Sequence, residues 1–176
     1  MSTPQVTAEQ RAARIRLLVL DVDGVLTDGR LFFGPQGEAL KAFDVRDGHG
    51  IKMLMANGVE VAWLSARKSD IVAARARDLG VARVLQGESD KASAFAGLLR
   101  DVEMSGAYSG YIGDDLPDLP PMRMAGFAAT VADGCTAAKE AAHWIAPVRG
   151  GRGAVRALAE FILRAKGIDA TAMVRG

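Results

Sequence analysis

Short apolar runs recur along this chain, each closed by a polar or glycine-bearing turn and most followed by a segment of helical periodicity. That alternation restricts the fold more than any other feature. A strand that returns through a helix joins its neighbour in parallel, so the pattern dictates an α/β architecture. The expected fold is a Rossmann-like parallel sheet flanked by helices, with strands over 15–20, 59–64, 81–85, 108–112 and 127–131. Helices are expected over 47–57 with Asp47 as cap and Gly58 as stop, then over 69–79, 89–102, 116–124 and 154–166.

One piece breaks the rhythm. Residues 30–33 and 39–43 are β-rich and joined by Gly34-Pro35-Gln36-Gly37, which reads as a β-hairpin inserted after the first strand. Its apolar Leu31, Phe32, Phe33 and Phe43 need burial that a lone two-stranded ribbon cannot supply. Folding back on its own core and pairing with other copies of the chain meet that need equally well on spacing alone.

Size bounds the rest. A chain of 176 residues, 49% hydrophobic and 24% charged, suits a single domain over 1–176, with a mobile tail expected over 1–12. Lys+Arg total 22 against 21 for Asp+Glu, so no bulk field selects nucleic acid or an anionic membrane. No run approaches the ~20 apolar residues that span a bilayer, and the polar N-terminus lacks a signal peptide's apolar stretch. Cys135 is the only cysteine and cannot form an intramolecular disulfide. A cytoplasmic protein is the expectation.

In open α/β sheets, ligands bind beyond the carboxyl ends of the strands. Asp21 and Asp23 follow the first strand here, Ser65 follows the second, Lys91 opens the helix after the third, and Asp114 and Asp115 follow the fourth. An aspartate after one strand is commonly a turn former or helix cap. Recurrence at successive strand ends points instead to one site. Such a set matches the demands of phosphomonoester hydrolysis. Asp21 can attack phosphorus, and Asp23, two residues on along an extended backbone, can protonate the leaving alcohol and later activate water. Ser65 and Lys91 can bind the phosphoryl oxygens. Carboxylates gathered beside a phosphate need a cation, and Mg²⁺ takes oxygen ligands: the side chains of Asp21 and Asp114 and the backbone carbonyl of Asp23. Asp115 and Asp118 read equally as outer supports of a metal or as caps of the short helix.

These residues carry a resemblance. Asp21-Val22-Asp23-Gly24-Val25, Ser65, Lys91 and Gly113-Asp114-Asp115 resemble, in order, the four motifs of the haloacid dehalogenase superfamily. Within it, Thr27-Asp28-Gly29, Lys41-Ala42-Phe43, Val45-Arg46-Asp47-Gly48, Gln86-Gly87 and the segment 150–156 are similar to the 3-deoxy-D-manno-octulosonate 8-phosphate phosphatase family, over about residues 14–166. The resemblance implies a capless Mg²⁺ phosphatase releasing an eight-carbon sugar acid for lipopolysaccharide synthesis. It also implies a homotetramer assembled through the hairpins, with neighbouring subunits helping to close each site. The chain departs from the family at Ser65-Ala66, where Thr-Gly is usual. A phosphatase for a nine-carbon sugar-acid phosphate or another small phosphomonoester is the alternative. A phospho-receiver signalling domain is a remote one, since the third strand ends without an acceptor aspartate.

Two arginines are candidate substrate-binding residues, Arg67 for the substrate's carboxylate and Arg152, by the resemblance, in a segment that reaches a neighbouring subunit's site. Arg67 adjoins the phosphate-binding hydroxyl, and Arg152 lies in the basic stretch 149–166. His49 is equally a residue of the site mouth or of a helix surface. His143, beside Trp144, reads as packing.

Overall fold

The computed structural model describes residues 6–169. In chain order its strands are β1 Leu17–Leu20, β2 Phe32–Gly34, β3 Gly37–Leu40, β4 Glu60–Ser65, β5 Arg83–Gln86, β6 Ser109–Ile112, β7 Phe127–Thr130 and β8 Trp144–Ile145. The helices are α1 Ala8–Ala12, α2 Val45–Ala56, α3 Asp70–Leu79, α4 Lys91–Asp101, α5 Leu119–Met124, α6 Thr136–Ala141 and α7 Ala154–Ala165. Six strands form one parallel sheet in the order β5-β4-β1-β6-β7-β8, and β2 and β3 form a separate antiparallel hairpin. The expected α/β fold is the one observed.

β1 is central because its sequence is apolar on both sides. Leu17, Leu18, Val19 and Leu20 are all fully buried, as a parallel strand covered on two faces requires. The two-residue period divides them. Leu18 and Leu20 enter the core made with Ile51 and Leu54 of α2 and Leu158 and Ile162 of α7. Leu17 and Val19 enter the opposite core, against Phe95 and Leu98 of α4 and Met122 of α5. Register then sets the site. Leu20 lies opposite both Trp63 and Ile112, and Ser65 opposite Gln86, so the carboxyl ends of β1, β4, β5 and β6 share one rim.

Several local expectations are corrected. Asp44, not Asp47, caps α2, its side chain accepting from the Arg46 N–H. Asp47 turns to α7, whose own N-cap is Gly153 and offers no side chain: its carboxylate accepts from the N–H groups of Gly153 at 3.2 Å and Arg156 at 2.8 Å. A cap that comes from another helix cannot be read from local spacing. The tail expected over 1–12 is not a tail over Ala8–Ala12, which form a helix. Thr7 and Gln10 close a capping box there, and Ala12 is buried in the core. Residues 1–5 of that expected tail lie outside the described residues. α6 and β8 were not anticipated; both are too short for their periodicity to register.

The hairpin's second arm also ends earlier than expected, at Leu40. Phe43 leaves the ribbon to stack on Trp63, ring centroids 6.3 Å apart, while Leu31, Phe32, Phe33 and Leu40 stay exposed at 45%, 41%, 63% and 50%. Among the described residues no helix is long and apolar enough to cross a membrane.

Candidate active site

The loop after β1 is shaped by its own side chains. Asp21 continues the strand and donates its N–H to the Ile112 carbonyl at 3.0 Å. Thr27 then folds the loop back, its hydroxyl accepting from the N–H groups of Gly24 at 3.3 Å and Gly29 at 3.2 Å. Gly24 has φ +106°, and a Cβ there would overlap the Asp114 carboxylate. Glycine thus lets the backbone of the first loop press against the acid of the fourth. Gly150 presses from the other side: a Cβ on it would overlap the Gly24 carbonyl, and the Gly151 N–H bonds the Val25 carbonyl at 2.9 Å.

Asp21, Asp23, Ser65, Lys91, Asp114 and Asp115, expected at one rim, line a single cavity of about 190 Å³, together with Arg67 and Asp118. Asp21, Ser65 and Lys91 are buried at its floor, 4%, 2% and 5% exposed. Lys91 Nζ lies 2.5 Å from Asp21 Oδ1 and 2.7 Å from Asp118 Oδ1. Ser65 Oγ accepts from the Arg67 N–H at 3.2 Å, which tightens the β4–α3 turn. Arg67 extends over the hairpin, its guanidinium carbon 5.9 Å from the Phe33 ring centroid. Arg152 is not among the residues lining this cavity. It lines a neighbouring one of about 210 Å³ with Asp28 and Phe43, and pairs with Asp28 at 3.6 Å.

Asp118 is the residue that sequence reasoning placed least well. It is 1% exposed, and both of its oxygens are filled by donors. Oδ1 accepts from Lys91 and from the Tyr111 hydroxyl at 2.7 Å each; Oδ2 accepts from the Asp114 and Asp115 N–H groups at 3.1 and 3.3 Å. A carboxylate has roughly four acceptor positions, and all are used. Asp118 therefore closes the capping box with Asp115 and holds Lys91 in place. Of the two uses weighed from sequence, the cap is the one these contacts show. Lys41 and Glu38 went unnoticed as site residues: Lys41 Nζ pairs with Asp23 Oδ1, and with Glu38 Oε1 at 2.9 Å.

The electrostatics follow from crowding. Burial first, then the Asp118 charge, raise the Asp21 pKa well above the usual carboxylate value, with Lys91 opposing. Burial, Asp118 and Asp115 push Asp114 up to about 6. Burial works against the charge on Lys91, but Asp21 and Asp118 outweigh it and its pKa is raised. One lysine faces three carboxylates, and oxygens of Asp21, Asp114 and Asp118 lie within 4.8 Å of one another. Such a cluster is short of positive charge.

A parallel sheet with an acidic pair after its central strand, and a second acidic pair across the rim, defines the class: this is a haloacid dehalogenase-type hydrolase fold. No protein-family model matches the chain. It is 45% identical over 157 residues to the 3-deoxy-D-manno-octulosonate 8-phosphate phosphatase KdsC of Yersinia pestis, covering 89% of this chain and 84% of that one. The crystal structure of the Moraxella catarrhalis enzyme of that name, in complex with magnesium, phosphate and KDO, superposes with a TM-score of 0.92 at 38% identity, covering 96% of this chain and 98% of the other. The cobalt-bound Haemophilus influenzae phosphatase gives 0.90 at 38% identity, with coverage of 94% and 100%. The chain belongs to the 3-deoxy-D-manno-octulosonate 8-phosphate phosphatase family.

Proposed function

We propose that this chain hydrolyses 3-deoxy-D-manno-octulosonate 8-phosphate to the free sugar acid and phosphate, a step toward lipopolysaccharide precursors. The observation that carries the reading is Asp21 itself: a buried carboxylate at the cavity floor, beside Lys91, in a family whose members bear that activity in their names. Asp21 attacks phosphorus and becomes an aspartyl phosphate as the sugar oxygen departs. Asp23 gives that oxygen its proton, then takes one from the water that releases phosphate. Lys91 and Ser65 bind phosphoryl oxygens, and Arg67 at the cavity mouth receives the substrate carboxylate. The exposed Arg152 serves a neighbouring subunit's site.

The donor set fits Mg²⁺. Asp118 has no acceptor position left for a metal, which leaves the Asp21 and Asp114 side chains, with the Asp23 carbonyl, as ligands. Both carboxylates are pushed toward protonation by burial and then by neighbouring carboxylates, and an added cation opposes that. When bound, Mg²⁺ neutralises phosphoryl charge and lets the anionic groups coexist. The relatives' substrate is favoured over a nine-carbon analogue. The exposed apolar face of the hairpin supports assembly into a homotetramer, and the lone cysteine suits the cytoplasm.

Phosphate release from the eight-carbon substrate tests the reading. Asp21→Asn should abolish turnover with the fold intact, and chelation of Mg²⁺ should suppress it reversibly. Near-normal turnover by folded Asp21→Asn would reject the nucleophile. Analytical ultracentrifugation tests the assembly, and a monomer at micromolar concentration would reject it.

A further inference from the structure

Just past the hairpin, one side chain reaches Asp23 of the cavity wall. β3 ends at Leu40, and the next residue, Lys41, turns inward until its side chain is 1% exposed. A lysine withdrawn from water needs compensation, and two carboxylates provide it: Asp23 Oδ1, and Glu38 Oε1 at 2.9 Å. Glu38 is held in turn, because its Oε2 accepts from the Ser69 hydroxyl at the start of α3. The Ser69 N–H donates to Gln86 Oε1 at 2.8 Å, at the end of β5. A continuous chain of contacts thus runs from the rim of the sheet, through the hairpin, to Asp23.

We propose that Lys41, anchored by Glu38, is a positioning residue for Asp23, holding its carboxylate where it meets the oxygen of the departing alcohol. Asp23 sits on a loop, is one of the more exposed carboxylates of the cavity, and its Oδ1 is held by the Lys41 ammonium. A proton donor must be placed within hydrogen-bond reach of the leaving oxygen to act. Lys41 supplies that placement without touching substrate, and Glu38 fixes Lys41 through its second oxygen's bond to Ser69. The inference rests on the reading of Asp23 as proton shuttle.

Leaving-group dependence separates this role from general support of the fold. The ratio kcat/KM reports steps only through departure of the first product. A sugar alkoxide needs a proton to leave and nitrophenolate does not. Lys41→Met should therefore lower kcat/KM for the eight-carbon sugar-acid phosphate by about 10²-fold, the lower end of general acid–base contributions. For p-nitrophenyl phosphate the loss should stay below about 10-fold, since little acid assistance is at stake. Equal losses on both substrates, or no loss on either, would overturn the proposal. Asp23→Asn measured alongside separates two failures. If it shows no asymmetry between substrates, the shuttle reading is wrong; if it does and Lys41→Met does not, the positioning role is wrong. Should Lys41→Met not fold, Glu38→Gln leaves Asp23 and Lys41 in place and loosens the anchor. It should show the same asymmetry, smaller in size, and an even loss on both substrates would again overturn the proposal.

Discussion

Gly150→Ala adds one methyl group where there is no room for it. Gly150 is buried and its φ lies outside the left-handed region, so alanine meets no backbone strain of its own. The cost is steric: the new Cβ would overlap the Gly24 carbonyl and stand 3.1 Å from that of Thr27. Both obstacles are backbone, which cannot rotate aside as a side chain can. Either the 149–151 loop lifts away, stretching the Gly151–Val25 bond of 2.9 Å, or the Asp21–Thr27 loop shifts. Overpacking of this kind costs roughly 1–3 kcal/mol, and the strained hydrogen bond adds about 1 kcal/mol. We expect a loss of about 2–4 kcal/mol in urea unfolding with an unchanged m value. A displacement on the order of 1 Å beside Asp23 should also lower kcat by about 10²-fold. Gly97→Ala, inside α4, is the matched control. Its Cβ would meet only Arg100 Nη2 at 3.8 Å, so the variant should gain up to ~1 kcal/mol of stability. If Gly150→Ala changes stability by less than about 0.5 kcal/mol and leaves kcat intact, the first loop does not lean on the segment around residue 150.

Asp47→Ala removes the acceptor of two N–H groups at the start of α7, and should cost about 1–3 kcal/mol in urea unfolding; a change within experimental error would show that water replaces it freely. His143 should titrate below 6.5 in NMR, because burial and then the Arg11 charge disfavour its protonated form, while its Nδ1 accepts from the Ala128 N–H at 2.8 Å. The unfolded chain then binds that proton more readily, so the imidazole's contribution to stability is present above pH 6.5 and lost as pH falls through its depressed folded value; a midpoint at or above 6.5 would contradict this. Mg²⁺ should raise the melting temperature of the wild type and much less that of Asp114→Asn, and equal shifts would remove Asp114 from the ligands.

Much of the fold was legible because a strand buried on both faces must be written almost wholly in apolar residues, as Leu17–Leu20 are. The rim was legible for a related reason. Parallel register fixes which end of every strand faces the site, so Asp21, Ser65 and Asp114 could be placed from their positions after strands alone. Tertiary partners were not legible. Asp118 sits in a proline-flanked turn and reads as a cap, yet it also takes Lys91 and Tyr111 from other elements. Asp47 was assigned to the helix that contains it, although the N–H groups it serves are more than a hundred residues away. Lys41 was visible only as part of a motif, since nothing local says that a lysine after a hairpin turns inward. The short α1, α6 and β8 owe their form to packing and caps more than to periodicity.

The contact between residue 150 and the loop beginning at residue 21 has a consequence for how the protein is made. The loop after β1 is synthesised before β6, the neighbour that β1 needs, and before the backing on which that loop leans. A nascent chain therefore carries every carboxylate of the cavity before it has the wall that holds them in register. A product truncated before that wall would keep those carboxylates and lose the backbone that backs the loop after β1.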